Sequence, residues 1–321
     1  MFVRALLMLA ASTLLWAGAA DAQSPTFLRA FGSLGSAPGQ FLYPTGVAAS
    51  PDGEVYVTDY VNGRVQVFTS AGVFLRSWPT FVVPGDIAYS KPYGVAIGAD
   101  NRVYVSDYAN HCIKVYSRQG DLLANSGRLH VLSTPTGLAI DHDGEVLVCD
   151  QYGNRIAVYS SDGTYLRGWG SYGAGPGQFG FTYGVAVSPD DRVFVLDPNY
   201  ARVQVFTTLG QFLFQFGSAG SGPGQFQYPL GISIDAQGKV YICEDGTIPR
   251  VQVFTSDGAY LSGWGTAGSG NGEFMRPIAV TCGPDGLIHV VDEEAHRVQT
   301  FGPAPVDVRH STWGMLKRRF R

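Results

Sequence analysis

The chain has 321 residues, with 42 Gly, 18 Pro, 13% aromatic and only 15% charged side chains, and a formal net charge of −4. Low charge beside abundant aromatics excludes a disordered chain, and glycines without a three-residue period exclude a collagen-like one. Many Gly, Val, Tyr and Phe together predict short strands joined by tight turns, in an all-β domain.

Residues 1–22 read as a secretory signal. Arg4 opens the segment, Ala5 to Trp16 is apolar, and Ala20-Asp21-Ala22 is a small-x-small cleavage site before Gln23. The apolar stretch is shorter than the ~20 residues a spanning helix needs, and no later segment could cross a bilayer. The expected location is secreted, extracellular or periplasmic. Residues 23–303 form the predicted domain and residues 304–321 a basic tail. From residue 302 onward Arg309, Lys317, Arg318, Arg319 and Arg321 stand against Asp307 alone, a balance of +4 that leaves −8 on the rest of the mature chain. An acidic body argues against nucleic acid as a partner, because such binding neutralises phosphates. The tail either touches an anionic surface or trails in solvent.

Phe27-Leu-Arg-Ala-Phe-Gly32 is an isolated strand pattern that matches Tyr165 to Gly170 and Phe212 to Gly217 further on. After it the chain repeats. A P-x-G-like start recurs at Pro44, Pro92, Pro135, Thr182, Pro229 and Pro277, spaced by 48, 43, 47, 47 and 48 residues. An acid follows the third residue of each start by 13 positions, at Asp59, Asp107, Asp150, Asp197, Glu244 and Asp292. An Arg comes next at Arg64, Arg155, Arg202, Arg250 and Arg297, with Cys112 in its place in the second copy. In the first copy Val47 to Ser50, Glu54 to Thr58, Arg64 to Phe68 and Val73 to Trp78 read as four antiparallel strands, with Pro51-Asp52-Gly53 and Ala71-Gly72 as turns. Four strands in a period of forty-odd residues predict a six-bladed β-propeller. The sixth copy lacks a fourth strand, and Phe27–Gly32 is expected to supply it, joining the two ends of the domain and removing exposed edges.

On these residues, the P-x-G-[VIL]-A start, the acid and the R-V-Q-V-F strand, the chain resembles the NHL-repeat family over about residues 27 to 301. It departs from the pattern at Cys112, at Ala279 in place of Gly, and at Glu244 with one extra residue before Arg250. The resemblance implies a propeller used for recognition, with a minority of relatives acting as lyases or hydrolases.

The small residues Ala48, Ala96, Ala139, Ala186, Ser233 and Thr281 suit the crowded inner strands. The acid and the Arg bracket the loop between second and third strands and are expected to pair, pinning each blade. The alternative is that Arg64, Arg155, Arg202, Arg250 and Arg297 face the central mouth and hold a ligand. That loop and the start lie on one face, the top, which also gathers Tyr60, Tyr93, Tyr108, His111, Tyr152, Tyr183, Tyr200 and His296. Tyr and Arg dominate binding hot spots, and loops carry function, so this face is the expected site for a protein, peptide or glycan ligand. No cofactor is required on this reading.

The competing reading is a metal-dependent lyase or hydrolase resembling the amidating lyases built on this fold, with zinc or calcium in the mouth. Its zinc ligands would be His111, His130 and His296, since three His and a water make a catalytic zinc site. Asp141-x-Asp143-Gly144 is too short for a calcium loop and reads as a turn. The glycine-rich runs from Gly32, Gly170, Gly217 and Gly265 lack the Lys-Ser or Lys-Thr and the helix of a phosphate loop, and read as inter-blade turns. Cys149 and Cys243 are a blade apart, so only Cys112 and Cys149, in adjacent blades, could form a disulfide. Buried thiols are the other outcome.

Overall fold

A computed structural model describes residues 24–80, 89–126 and 132–303. Signal, tail and His130 fall outside these residues. The described chain forms six four-stranded antiparallel sheets arranged as propeller blades. In the first blade the strands are Pro44–Ala49, Glu54–Asp59, Arg64–Thr69 and Phe74–Pro79, each paired with the next in chain order. The alternating pattern sets this arrangement. In Glu54–Asp59 and its counterparts both faces meet a neighbouring blade, so Val55, Tyr56 and Val57 are all buried. Outer strands such as Phe212–Phe216 alternate half-buried and exposed residues.

Ring closure follows the expected route. Thr26–Phe31 pairs with Arg297–Gly302, with Thr26 opposite Gly302 and Phe31 opposite Val298. The sixth blade therefore contains strands from both ends of the domain. Phe27 and Phe301 meet edge to face with their centroids 6.0 Å apart.

Wedge-shaped apolar cores fill the spaces between blades. One joins Phe194, Leu196 and Val205 of the fourth blade to Phe226, Ile242 and Phe254 at the fifth. Another joins Cys149, Ile156 and Val158 of the third blade to Phe179, Val195 and Phe206 at the fourth. The glycine-rich runs are inter-blade turns, each closed by a parallel bridge: Leu34 to Phe41, Tyr172 to Phe179, Ala219 to Phe226 and Ala267 to Phe274. Gly32 sits at φ +97°, and a Cβ there would lie 2.5 Å from the Phe41 ring, so this turn demands glycine.

The structure decides between the two outcomes for the cysteines in favour of free thiols. Cys112, Cys149, Cys243 and Cys282 are free thiols. Cys112 and Cys149 do belong to neighbouring blades, but Cys149 packs into the core between the third and fourth blades, facing away from the second.

Candidate functional site

The top face has two layers, an outer ring of ion pairs and a central mouth. In the outer layer Arg64 Nε meets Asp59 at 2.8 Å, Arg155 meets Asp150 at 3.1 Å and Arg202 meets Asp197 at 3.1 Å. Arg250 meets Glu244 at 2.6 Å and Arg297 meets Asp292 at 3.0 Å. The remaining guanidinium hydrogens of most of these go to inter-blade turns. Arg64 Nη2 donates to the Ala37 and Gln40 carbonyls, and Arg297 to the Ser269, Gly270 and Glu273 carbonyls. The acids finish the lattice from the other side, as Asp59 accepts from Leu42 N and Asp292 from Met275 N and Arg276 N. These arginines bind turns to blades.

The second blade keeps the device with other residues. Cys112 cannot serve, and Lys114, two positions on, reaches Asp107 at 2.8 Å and the Thr80 carbonyl at 2.6 Å. Burial pushes the Asp107 carboxyl up, but Lys114, Ser90 and Asn110 outweigh burial and hold it below the usual carboxylate range.

The mouth is a cavity of about 270 Å³ around the axis, and its walls include Tyr60, Tyr93, Tyr108, Tyr152, Tyr183, Gln151, Arg276 and Glu293. Of the residues expected on this face, five of the six tyrosines converge here. Arg64, His111, Arg155, Tyr200, Arg202, Arg250, His296 and Arg297 do not line it. Tyr200 instead lies under the Arg202 guanidinium, 5.1 Å from it. His111 and His296 take left-handed turn positions, at φ 55° and 53°, in the second and sixth blades. His296 Nδ1 accepts from Tyr43 N at 3.1 Å, which ties blade six to blade one. Among the described residues no group of three or more His, Cys, Asp or Glu side chains is placed to hold a metal ion.

Two repeat positions build the mouth. The second residue of the start is Thr45, Tyr93, Thr136 or Tyr183 in the first four blades and lies nearest the axis. Thr45 and Thr136 hydroxyls fix the Tyr93 and Tyr183 carbonyls at 3.0 Å each. The Tyr93 and Tyr183 hydroxyls hydrogen-bond to each other across the ring. They floor the mouth and cap a narrow axial space below it, lined by Val47, Val95, Leu138, Val185, Ile232 and Val280. The residue after the recurring acid is Tyr60, Tyr108, Gln151, Asp245 or Glu293 in five blades. Its backbone N–H donates to the residue before the start, as Tyr108 does to Lys91 at 3.0 Å and Glu293 to Arg276 at 2.9 Å.

The resulting site is asymmetric. On one side Tyr60, Tyr93 and Tyr108 form an aromatic cluster with centroid separations of 5.9 to 6.3 Å, and Lys91 Nζ stands 4.8 Å over the Tyr60 ring. On the other side Arg276 bridges Glu293 at 2.5 Å and Asp245 at 3.3 Å. Burial raises the Glu293 carboxyl above its ordinary range despite the adjacent Arg276, and burial also raises the phenols of Tyr60, Tyr108 and Tyr183. Sequence reasoning missed Lys91, Gln151, Asp245, Arg276 and Glu293. The signal was the repeat register: they occupy the positions of Tyr43 and Tyr60 with other residue types.

Comparison with known proteins places this geometry. The NHL repeat family matches residues 41–68, 89–116 and 132–159, and a family described as 6-bladed beta-propeller matches residues 184–248. No curated protein sequence matches the chain. Among solved structures, a streptogramin B lyase is similar at 15% identity and a TM-score of 0.63, over 85% of this chain and 97% of its own. An inactive variant of virginiamycin B lyase from Staphylococcus aureus with quinupristin is similar at 17% identity and 0.61, over 86% and 89%. A gluconolactonase from Xanthomonas campestris is similar at 17% identity and 0.62, over 86% and 96%. At such identities the likeness is one of fold. With its repeats, closure and blade count all in agreement, the chain carries NHL repeats in its first three blades and folds as a six-bladed β-propeller.

Proposed function

We propose that this protein is an exported recognition module that holds a protein, peptide or glycan ligand in the mouth of its top face. One observation carries the reading. The phenol hydroxyls of Tyr60, Tyr108 and Tyr152, the Gln151 amide and one oxygen of Glu293 all belong to the same space, and none has a hydrogen-bond partner among the described residues. Polar groups held unpaired on a rigid frame are ready for a ligand, because no internal bond need break when it binds. Among the described residues no helix is long and apolar enough to cross a membrane.

A lyase or hydrolase is the second reading, favoured by Glu293. Its carboxyl is nine-tenths buried and holds its proton more tightly than usual, which suits proton transfer. The solved structures similar in fold include proteins titled as lyases and a gluconolactonase. The metal-dependent form of this reading gains nothing from His111 and His296, which lie two blades apart at turn positions.

Native mass spectrometry tests both readings. After incubation with the extracellular fraction of the native culture, the wild-type chain is expected to carry an added mass that a Tyr108→Ala/Tyr152→Ala variant lacks. The same compound should be recovered unaltered. An added mass indifferent to the double substitution would overturn the recognition reading, and recovery of a chemically altered compound would replace it with the enzymatic one.

A further inference from the structure

We propose that the ligand of the mouth is a neutral carbohydrate, seated as a ring between the tyrosine wall and the Arg276–Glu293 pair. This inference rests on the recognition reading above and specifies its ligand class.

Charge comes first. Lys91 and Arg276 are matched by Asp245 and Glu293, with Arg276 in contact with both carboxylates. On the Arg276 side a ligand with a net charge of either sign would therefore face an opposite charge already partnered and a like charge close by. A neutral ligand avoids that cost.

The free groups give the chemistry. Phenol hydroxyls and a primary amide each donate and accept, while the unpaired Glu293 oxygen accepts and the unbound edge of Arg276 donates. Vicinal hydroxyls supply that same mixture in alternation around a small ring. One hydroxyl can donate to Glu293 while its neighbour accepts from Arg276, and the two protein groups already lie 2.5 Å apart. The Tyr60, Tyr93 and Tyr108 rings offer an apolar wall beside these polar groups, as the C–H faces of a sugar require. An apolar ligand would leave the Glu293 oxygen buried and unmet, at a cost.

Shape discriminates against a peptide. An extended peptide is normally held by adding to a sheet edge, where backbone groups supply its affinity. The inner strands here turn toward one another around the axis, and the Tyr93–Tyr183 hydroxyl pair closes the floor, so no chain can thread through. The mouth is floored by this pair, which suits a short or terminal unit.

The test uses the full chain with cellobiose, maltose, lactose, mannobiose and diacetylchitobiose as probes, and trialanine amide and glucuronate as comparisons. Binding is read by calorimetry and by saturation-transfer resonance of the probe. The expectation is saturable binding of at least one disaccharide, weakened about tenfold or more by Glu293→Ala and by Gln151→Ala. Gln151 carries no ion pair, so its variant decides the matter if the loss of Glu293 disturbs folding. Failure of every disaccharide to bind would overturn the carbohydrate assignment. If trialanine amide binds instead, and the Gln151 variant loses it, that assignment falls while the recognition reading stands. If a disaccharide binds and is cleaved or eliminated, the carbohydrate assignment stands and the non-catalytic reading falls.

Discussion

Lys114 Nζ lies 2.8 Å from Asp107 Oδ2, with neither side chain more than 1% exposed, in the one blade where Cys112 stands in place of Arg. A compact ammonium thus replaces a fork of donors, and its extra hydrogen goes to the Thr80 carbonyl. Removing one partner of a buried pair leaves the other charged and desolvated. Lys114→Met is expected to cost about 3 to 5 kcal/mol, and Lys114→Met combined with Asp107→Asn appreciably less. Urea denaturation of both variants measures the difference. Equal losses would show that the pair is energetically idle.

Acid should weaken the closing blade through His289. Its ring is buried beside Thr300, with Nδ1 3.0 Å from that hydroxyl and Nε2 unpartnered, and burial pushes its pKa down to about 4. The unfolded chain takes the proton near pH 6.5, so the stability from neutral His289 is present above that value. It is lost as pH falls from about 6.5 toward about 4, because the unfolded state then binds more protons than the folded one. The wild type should lose about 2 to 3 kcal/mol more than His289→Gln between about pH 7 and about pH 4. Parallel pH profiles from the two proteins would refute this.

Gly46 is required by sterics rather than by backbone angle. A Cβ there would come within 2.4 Å of the Tyr93 carbonyl oxygen and 3.2 Å of Gly94 Cα, both backbone atoms of the next inner strand. The same crowding recurs at Gly94, Gly137, Gly184 and Gly231. Gly46→Ala should destabilise by about 1 to 3 kcal/mol, as overpacking does. It should also weaken ligand binding, since the strain falls on the segment that carries Tyr93. Thermal unfolding with binding on the same samples checks both; an unchanged Tm would contradict the packing argument.

The four cysteines should be unreactive in the folded protein. Burial raises the thiols of Cys149 and Cys243 beyond their usual range and that of Cys282 up to about 12, so thiolate is scarce at neutral pH. Ellman's reagent is expected to count no thiols in native protein and all four cysteines after denaturation in the absence of reductant. Only two thiols after denaturation would reinstate a disulfide.

The ring was legible in the sequence because its information is periodic. Starts, acids and arginines recur at near-constant spacing, and the lone Phe27–Gly32 strand matches the missing fourth strand of the last blade. The mouth was only half legible. Tyr60 and Tyr108 stand out by type, whereas Gln151, Asp245 and Glu293 hold the same register position without resembling them. Their convergence is created by closure across six blades, which no local pattern encodes. The arginines sit on the expected face, but their side chains run outward to the inter-blade turns, a direction fixed by strand geometry. For Cys149 the strand's two-residue alternation decided the outcome, turning it toward the fourth blade while Val148 faces the second.

Thr26 opposite Gly302 has a consequence for how the gene could be cut. Both ends of the domain lie in adjacent strands of a single blade, so a short linker could join them and new ends could be opened in another inter-blade turn. Such a circular permutant would keep every strand pairing of the ring while moving the seam to a different blade. Chain order and ring order are therefore separable in this protein.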